Sequence, residues 1–170
     1  MSSFGWMTAV ALALLQSAYA KIPTVGATQC GEFKGRVIPR TQAPDFTANA
    51  VVNGQFEKFT LSDYSKAGKW MVLFFYPFDF TFVCPTEIVS FSDSIGEFRE
   101  INAEIAGVST DSHHTHLAWI QTARAAGGVG QLDIPLVADI SKEISHAYGV
   151  LVENPEDDMY GAALRGLFII

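Results

Sequence analysis

The 170-residue chain is about half hydrophobic, at 49%, which suits one compact domain with its own core and leaves little for a second. Its formal net charge is −7. No basic run or arginine-rich stripe interrupts that acidity, which argues against nucleic acid and membrane surfaces as partners.

Met1 to Ala20 carries no charged side chain, has an apolar stretch from Ala9 to Leu15, and ends Ala18-Tyr19-Ala20. A short apolar region before a small-x-small site predicts a secretory signal peptide over 1–20, with Lys21 as the new N-terminus. The expected location is therefore the secretory pathway, in the endoplasmic reticulum or beyond it. The alternatives are an amphipathic or buried N-terminal helix and a cytoplasmic location. A bilayer span would need about 20 apolar residues, and an organelle transit peptide would need arginines that this segment lacks. Lys21 to Arg40 reads as a flexible lead-in, and 41–170 as the folded domain.

Ala43-Pro-Asp-Phe46 opens that domain. Asn53-Gly54, inside the apolar stretch from Val51 to Leu61, predicts a hairpin. Met71 to Tyr76 is a continuous apolar run closed by Pro77, the pattern of a strand buried on both faces. A loop from Phe78 to Val83 follows, and Pro85 sits where a first helical position would be. Ile88, Phe91, Ile95, Phe98 and Ile101 recur at spacings of three and four, which predicts one apolar helix face over several turns.

Ile105 to Thr110 is expected as a strand, Asp111-Ser112 as a cap and His113 to Arg124 as a helix. Gly127 to Gly130 is a loop. Pro135 to Ala138 reads as a strand, Ser141 to Tyr148 as a helix, and Val150 to Val152 and Leu164 to Ile170 as further strands. Alternating strands and helices with buried apolar strands predict an α/β sandwich around a largely parallel sheet. Ligands in such folds sit at the carboxyl ends of the strands, where the loop from Pro77 to Cys84 would lie.

The two cysteines, Cys30 and Cys84, form no C-x-x-C pair, which disfavours a thioredoxin-like dithiol and excludes a zinc-binding cysteine cluster. Cys84, directly before Pro85, falls at or near a helix N-cap. There the unpaired N–H groups and the helix dipole favour a thiolate. The plainer alternative is a buried, inert cysteine. His113, His114 and His116 do not read as a metal cluster, because consecutive histidines point apart on a helix. The Gly127 to Gly130 loop lacks the lysine of a phosphate cradle. No metal and no cofactor is expected.

Phe75-Tyr-Pro-Phe-Asp-Phe-Thr-Phe-Val-Cys-Pro-Thr-Glu87 contains P-x-x-x-T-x-x-C, and the segment closely resembles the active-site signature of peroxiredoxins. Ala43-Pro-Asp-Phe46, Asp111-Ser112 with Thr115-His-Leu-Ala-Trp119, Gly127-Gly-Val-Gly130, Pro135-Leu-Val-Ala-Asp139 and Leu164-Arg-Gly-Leu-Phe168 follow in the family's order. The resemblance covers roughly Arg40 to Ile170. It is with the typical 2-Cys branch and its secretory-pathway members.

The resemblance implies an α/β, thioredoxin-like fold of the peroxiredoxin type. It also implies reduction of hydrogen peroxide and organic hydroperoxides through a sulfenic acid on Cys84. Thr81 would orient thiolate and peroxide, and Pro77 would close the pocket against water. Arg165 would set a guanidinium beside the sulfur, with Glu87 helping to hold it. Read singly, each has a plainer role: Pro77 ends a strand, Thr81 closes a turn, Arg165 pairs at the surface and Glu87 is a favourable first-turn charge. His116, the one histidine at a family position, reads as packing near Trp119.

Thioredoxin or a disulfide isomerase-like dithiol is the implied reductant, and a homodimer assembling into rings the implied state. The chain stops at Ile170 inside an apolar, β-prone run, and it reads as C-terminally incomplete. A resolving cysteine and a C-terminal helix are expected past that point. Cys30 is assigned an intermolecular or accessory role, against a free thiol or a Cys30–Cys84 bridge. Two other functions compete: a one-cysteine peroxidase resolved by an external thiol, and a holdase or redox-sensing assembly.

Overall fold

In the computed structural model, residues 37–81 and 84–170 are described, Cys84 by its backbone alone. The expected signal peptide, most of the lead-in and Cys30 lie outside the described residues. All the described residues belong to one unit, 35–170.

The chain enters with β1 (Thr47–Val52) and β2 (Gln55–Thr60), an antiparallel hairpin in which Val52 faces Gln55. Asn53 and Gly54 make the turn with φ of 50° and 74°. Positive φ at both positions is what a two-residue turn matching the twist of its strands requires, and Asn-Gly tolerates it best. A short helix α1 (Leu61–Lys66) leads to β3 (Trp70–Phe75). Met71 to Tyr76 is buried without a break, as its apolar run predicts.

Two helices follow, α2 (Cys84–Asp93) and α3 (Ile95–Glu100). The apolar spacing predicts one continuous face here, but the helix breaks at Ser94. Ile88 and Ile95 are buried, whereas Ile101 is 71% exposed. Ile101 lies past the last turn of α3, where the helical period no longer governs its direction.

Next come β4 (Ala103–Ser109), α4 (His113–Gln121), β5 (Leu136–Ala138), α5 (Glu143–Ala147) and β6 (Gly166–Ile169). Ser112, not Asp111, caps α4, its Oγ accepting the Thr115 N–H at 3.1 Å. The expected strand at Val150–Val152 is reduced to one bridge, Leu151 to Ala163. Apolar side chains there pack on the core without a continuous ladder.

The six strands form one sheet in the order β2-β1-β5-β4-β3-β6. Only β3–β4 and β4–β5 are parallel, while β1–β2, β1–β5 and β3–β6 are antiparallel. The sheet is therefore mixed, not largely parallel. A local hairpin at one edge and a returning strand at the other flank a parallel centre, an arrangement common in large sheets.

Both faces of that centre are covered. Val72, Phe74 and Tyr76 face Ile88, Ile95 and Trp119 from α2 to α4, and Met71, Leu73 and Phe75 face Leu61 and Ile144 from α1 and α5. The alternation along β3 divides its side chains between two cores.

Candidate active site

The parallel strands end together at one edge of the sheet. There Tyr76 N–H makes the last bond of β3, to Val108 O at 3.0 Å. Pro77 follows, buried, and having no N–H it cannot extend the ladder. Phe80 adopts φ of 56° and lays its ring 5.9 Å from Trp119. Thr81 Oγ1 donates to Phe78 O at 3.2 Å, closing a turn.

Cys84 is the first residue of α2. The N–H groups of that first turn have no acceptor within the helix, and they and the positive end of the dipole lie at its backbone. Pro85 occupies a position that needs no donor.

Arg165 precedes β6, whose Gly166 lies opposite Phe75 of β3. Antiparallel return therefore delivers Arg165 to the strand end from which the loop departs. Its Nε donates to Glu87 Oε2 at 3.1 Å, across 78 residues of sequence. Both side chains are about half exposed, at 47% and 44%. They belong to a shallow groove of about 510 Å³, shared with Phe74, Phe75, Phe91 and Leu167.

Of the residues singled out by sequence, Arg165 and Glu87 are in direct contact. Pro77 and Thr81 share the loop that leads to Cys84. Cys30 lies outside the described residues. Among the described residues, no group of three or more His, Cys, Asp or Glu side chains is arranged to hold a metal.

Beneath the loop lies a cluster that the sequence signals left undivided. Tyr76 OH donates to Asp79 Oδ1 at 2.8 Å, and Asp79 Oδ2 lies 2.7 Å from His116 Nδ1. His116 Nε2 faces Val137 O at 3.2 Å. The His116 and Asp79 side chains are both wholly buried. Burial, opposed by the bond and charge of His116, raises the Asp79 carboxyl above its ordinary value.

His116 does more than pack near Trp119: it forms a buried pair with an aspartate of the signature loop. A detectable signal existed, since a histidine sharing an apolar helix face with Trp119 and Ile120 needs a polar partner. Its identity required tertiary contact.

Residues 39–170 match the AhpC/TSA family. The chain belongs to this family. Mouse Peroxiredoxin-2 is 60% identical over 128 residues, covering 75% of this chain and 61% of that protein. The mouse mitochondrial thioredoxin-dependent peroxide reductase is 57% identical over 128 residues, covering 75% of this chain and 47% of that protein. The chain thus spans about half to three-fifths of the length of these curated relatives. The reduced 2-Cys peroxiredoxin of Plasmodium vivax superposes with a TM-score of 0.69 at 42% identity, covering 76% of this chain and 64% of that one. The mixed α/β architecture of this AhpC/TSA chain is accordingly the thioredoxin-like fold of peroxiredoxins.

Proposed function

We propose that this chain is a thiol peroxidase that reduces hydrogen peroxide and organic hydroperoxides through Cys84. One observation carries the reading: Arg165, remote in sequence, is ion-paired to the first turn of the helix that Cys84 opens. A helix N-terminus and a nearby guanidinium both favour a thiolate. The same positive groups stabilise charge developing on a departing oxygen.

In this reading the Cys84 thiolate attacks one peroxide oxygen. An S–O bond forms, the O–O bond breaks, and the leaving hydroxide or alkoxide takes up a proton. The sulfur, oxidised by two electrons, becomes a sulfenic acid. Thr81 orients thiolate and peroxide, Pro77 shields the site from water, and Glu87 holds Arg165. A dithiol then returns the electrons. A resolving cysteine thiol of the partner subunit condenses with the sulfenic acid, releasing water and forming a disulfide, and the dithiol reduces that disulfide by exchange. Thioredoxin or a disulfide isomerase-like protein fits that role, and the name of the mouse mitochondrial relative supports the former.

Met1–Ala20 serves in this proposal as a cleaved secretory leader, 21–40 as a lead-in and 41–170 as the peroxidase domain, within a homodimer that assembles into rings. N-terminal sequencing of the mature protein should begin at Lys21. Peroxide consumption with a dithiol donor tests the chemistry: Cys84→Ser is expected to abolish it. Turnover persisting at the full rate in that variant overturns the proposal.

A further inference from the structure

The buried chain of hydrogen bonds under the signature loop has no part in the chemistry just described, yet it grips that loop at two levels. The Asp79 backbone N–H donates to Asp111 Oδ2 at 2.9 Å, and Ser109 Oγ steadies the same carboxylate oxygen at 2.7 Å. The Asp79 side chain is held from both sides, by Tyr76 OH and by His116 Nδ1. Asp79 lies two residues before Thr81 and five before Cys84.

We propose that His116 is a positioning residue for the Cys84 thiol, acting through Asp79, which it fixes beneath the loop joining β3 to α2. The inference rests on Cys84 being the reacting thiol. Proton placement follows from the partners. A carbonyl only accepts, so His116 Nε2, facing Val137 O, carries a hydrogen. One further proton lies between Nδ1 and Asp79 Oδ2, and with Tyr76 OH donating to Oδ1 every polar atom of the pair is satisfied.

The test uses the full chain, with hydrogen peroxide and iodoacetamide as probes of Cys84 at neutral pH. His116→Gln keeps a donor toward Val137 O but loses the one toward Asp79. It is expected to slow Cys84 oxidation about tenfold or more, as misplacement of a reacting group does. His116→Asn, whose amide reaches toward Asp79, is expected to recover most of the rate.

Equal impairment in both folded variants, or an undiminished rate in His116→Gln, overturns the proposal. Should His116→Gln fail to fold, Tyr76→Phe, which deletes one hydroxyl, carries the test. A several-fold loss of rate supports the proposal, and an unchanged rate overturns it. If peroxide leaves wild-type Cys84 unoxidised, the peroxidase reading fails, while the iodoacetamide rates still decide the role of His116.

Discussion

Arg165 and Glu87 illustrate how little an exposed ion pair contributes to stability and how much it can contribute to geometry. Pairs exposed to this degree are worth about 0–1 kcal/mol, so the contact matters chiefly for where it leaves the guanidinium. Arg165→Ala is expected to slow Cys84 oxidation by about 10²–10³-fold, with Glu87→Gln causing a smaller loss and neither moving the melting temperature by more than a few degrees. Stopped-flow oxidation and thermal melts measure the two effects separately. His113 supplies a second residue-scale prediction. Its imidazole is held below the ordinary value, first by lost hydration and then by the neighbouring His114 and His116 and by Lys58. Its ring packs edge-on to Phe56 at 4.8 Å. Because the folded-state value is depressed, the unfolded chain takes up this proton first as pH falls. The stability it contributes is present above about pH 6.5 and is lost as pH drops below that. Melting curves at pH 7 and pH 5 should differ less in His113→Gln than in the wild type.

At the scale of elements, local chemistry accounts for several boundaries. Ser112 caps α4 through the Thr115 N–H, and removing such a cap costs about 1 kcal/mol. Ser112→Ala should lower the unfolding free energy by that amount, read as a lower urea midpoint with an unchanged slope. Gly107 in β4 shows a different constraint. A Cβ there would lie 2.7 Å from Phe74 Cζ and 3.0 Å from Leu136 Cδ2. Phe74 has little room to retreat, because its ring stacks on Phe91 at 4.9 Å. Gly107→Ala is therefore expected to cost about 1–3 kcal/mol by overpacking, measured by chemical denaturation. The absent side chain lets β3 and β5 carry large residues on either side of the central strand.

At the scale of the whole molecule, one sheet joins two cores. Leu73 belongs to the core covered by α1 and α5, and Trp119 to the core covered by α2 to α4. Leu73 is fully buried, and truncation at such a site costs about 2–5 kcal/mol. Since β3 lends alternate side chains to each core, Leu73→Ala should destabilise both together. Trp119 fluorescence and far-ultraviolet circular dichroism are expected to follow one coincident unfolding curve in that variant. Separate curves would mean that the two faces melt independently.

Where the deciding physics was local, the amino-acid sequence alone was sufficient. Asn53-Gly54 encoded its turn, the unbroken apolar run from Met71 to Tyr76 encoded a doubly buried strand, and Pro77 its end. The spacing of Pro77, Thr81 and Cys84 marked the family, because the motif is contiguous. Strand direction at the two edges of the sheet was not local: β1 and β6 are antiparallel to their inner neighbours, and nothing in their own residues distinguishes that from a parallel alignment. The break at Ser94 and the exposure of Ile101 were likewise set by where the helices end, which periodicity does not report. The contact between Arg165 and Glu87 existed in the sequence only as a family resemblance, and the bonds joining Tyr76, Asp79 and His116 did not exist there at all. A buried polar side chain announces that it needs a partner. Only the fold, by bringing the end of β3, the signature loop and the first turn of α4 together, determines which partner it finds.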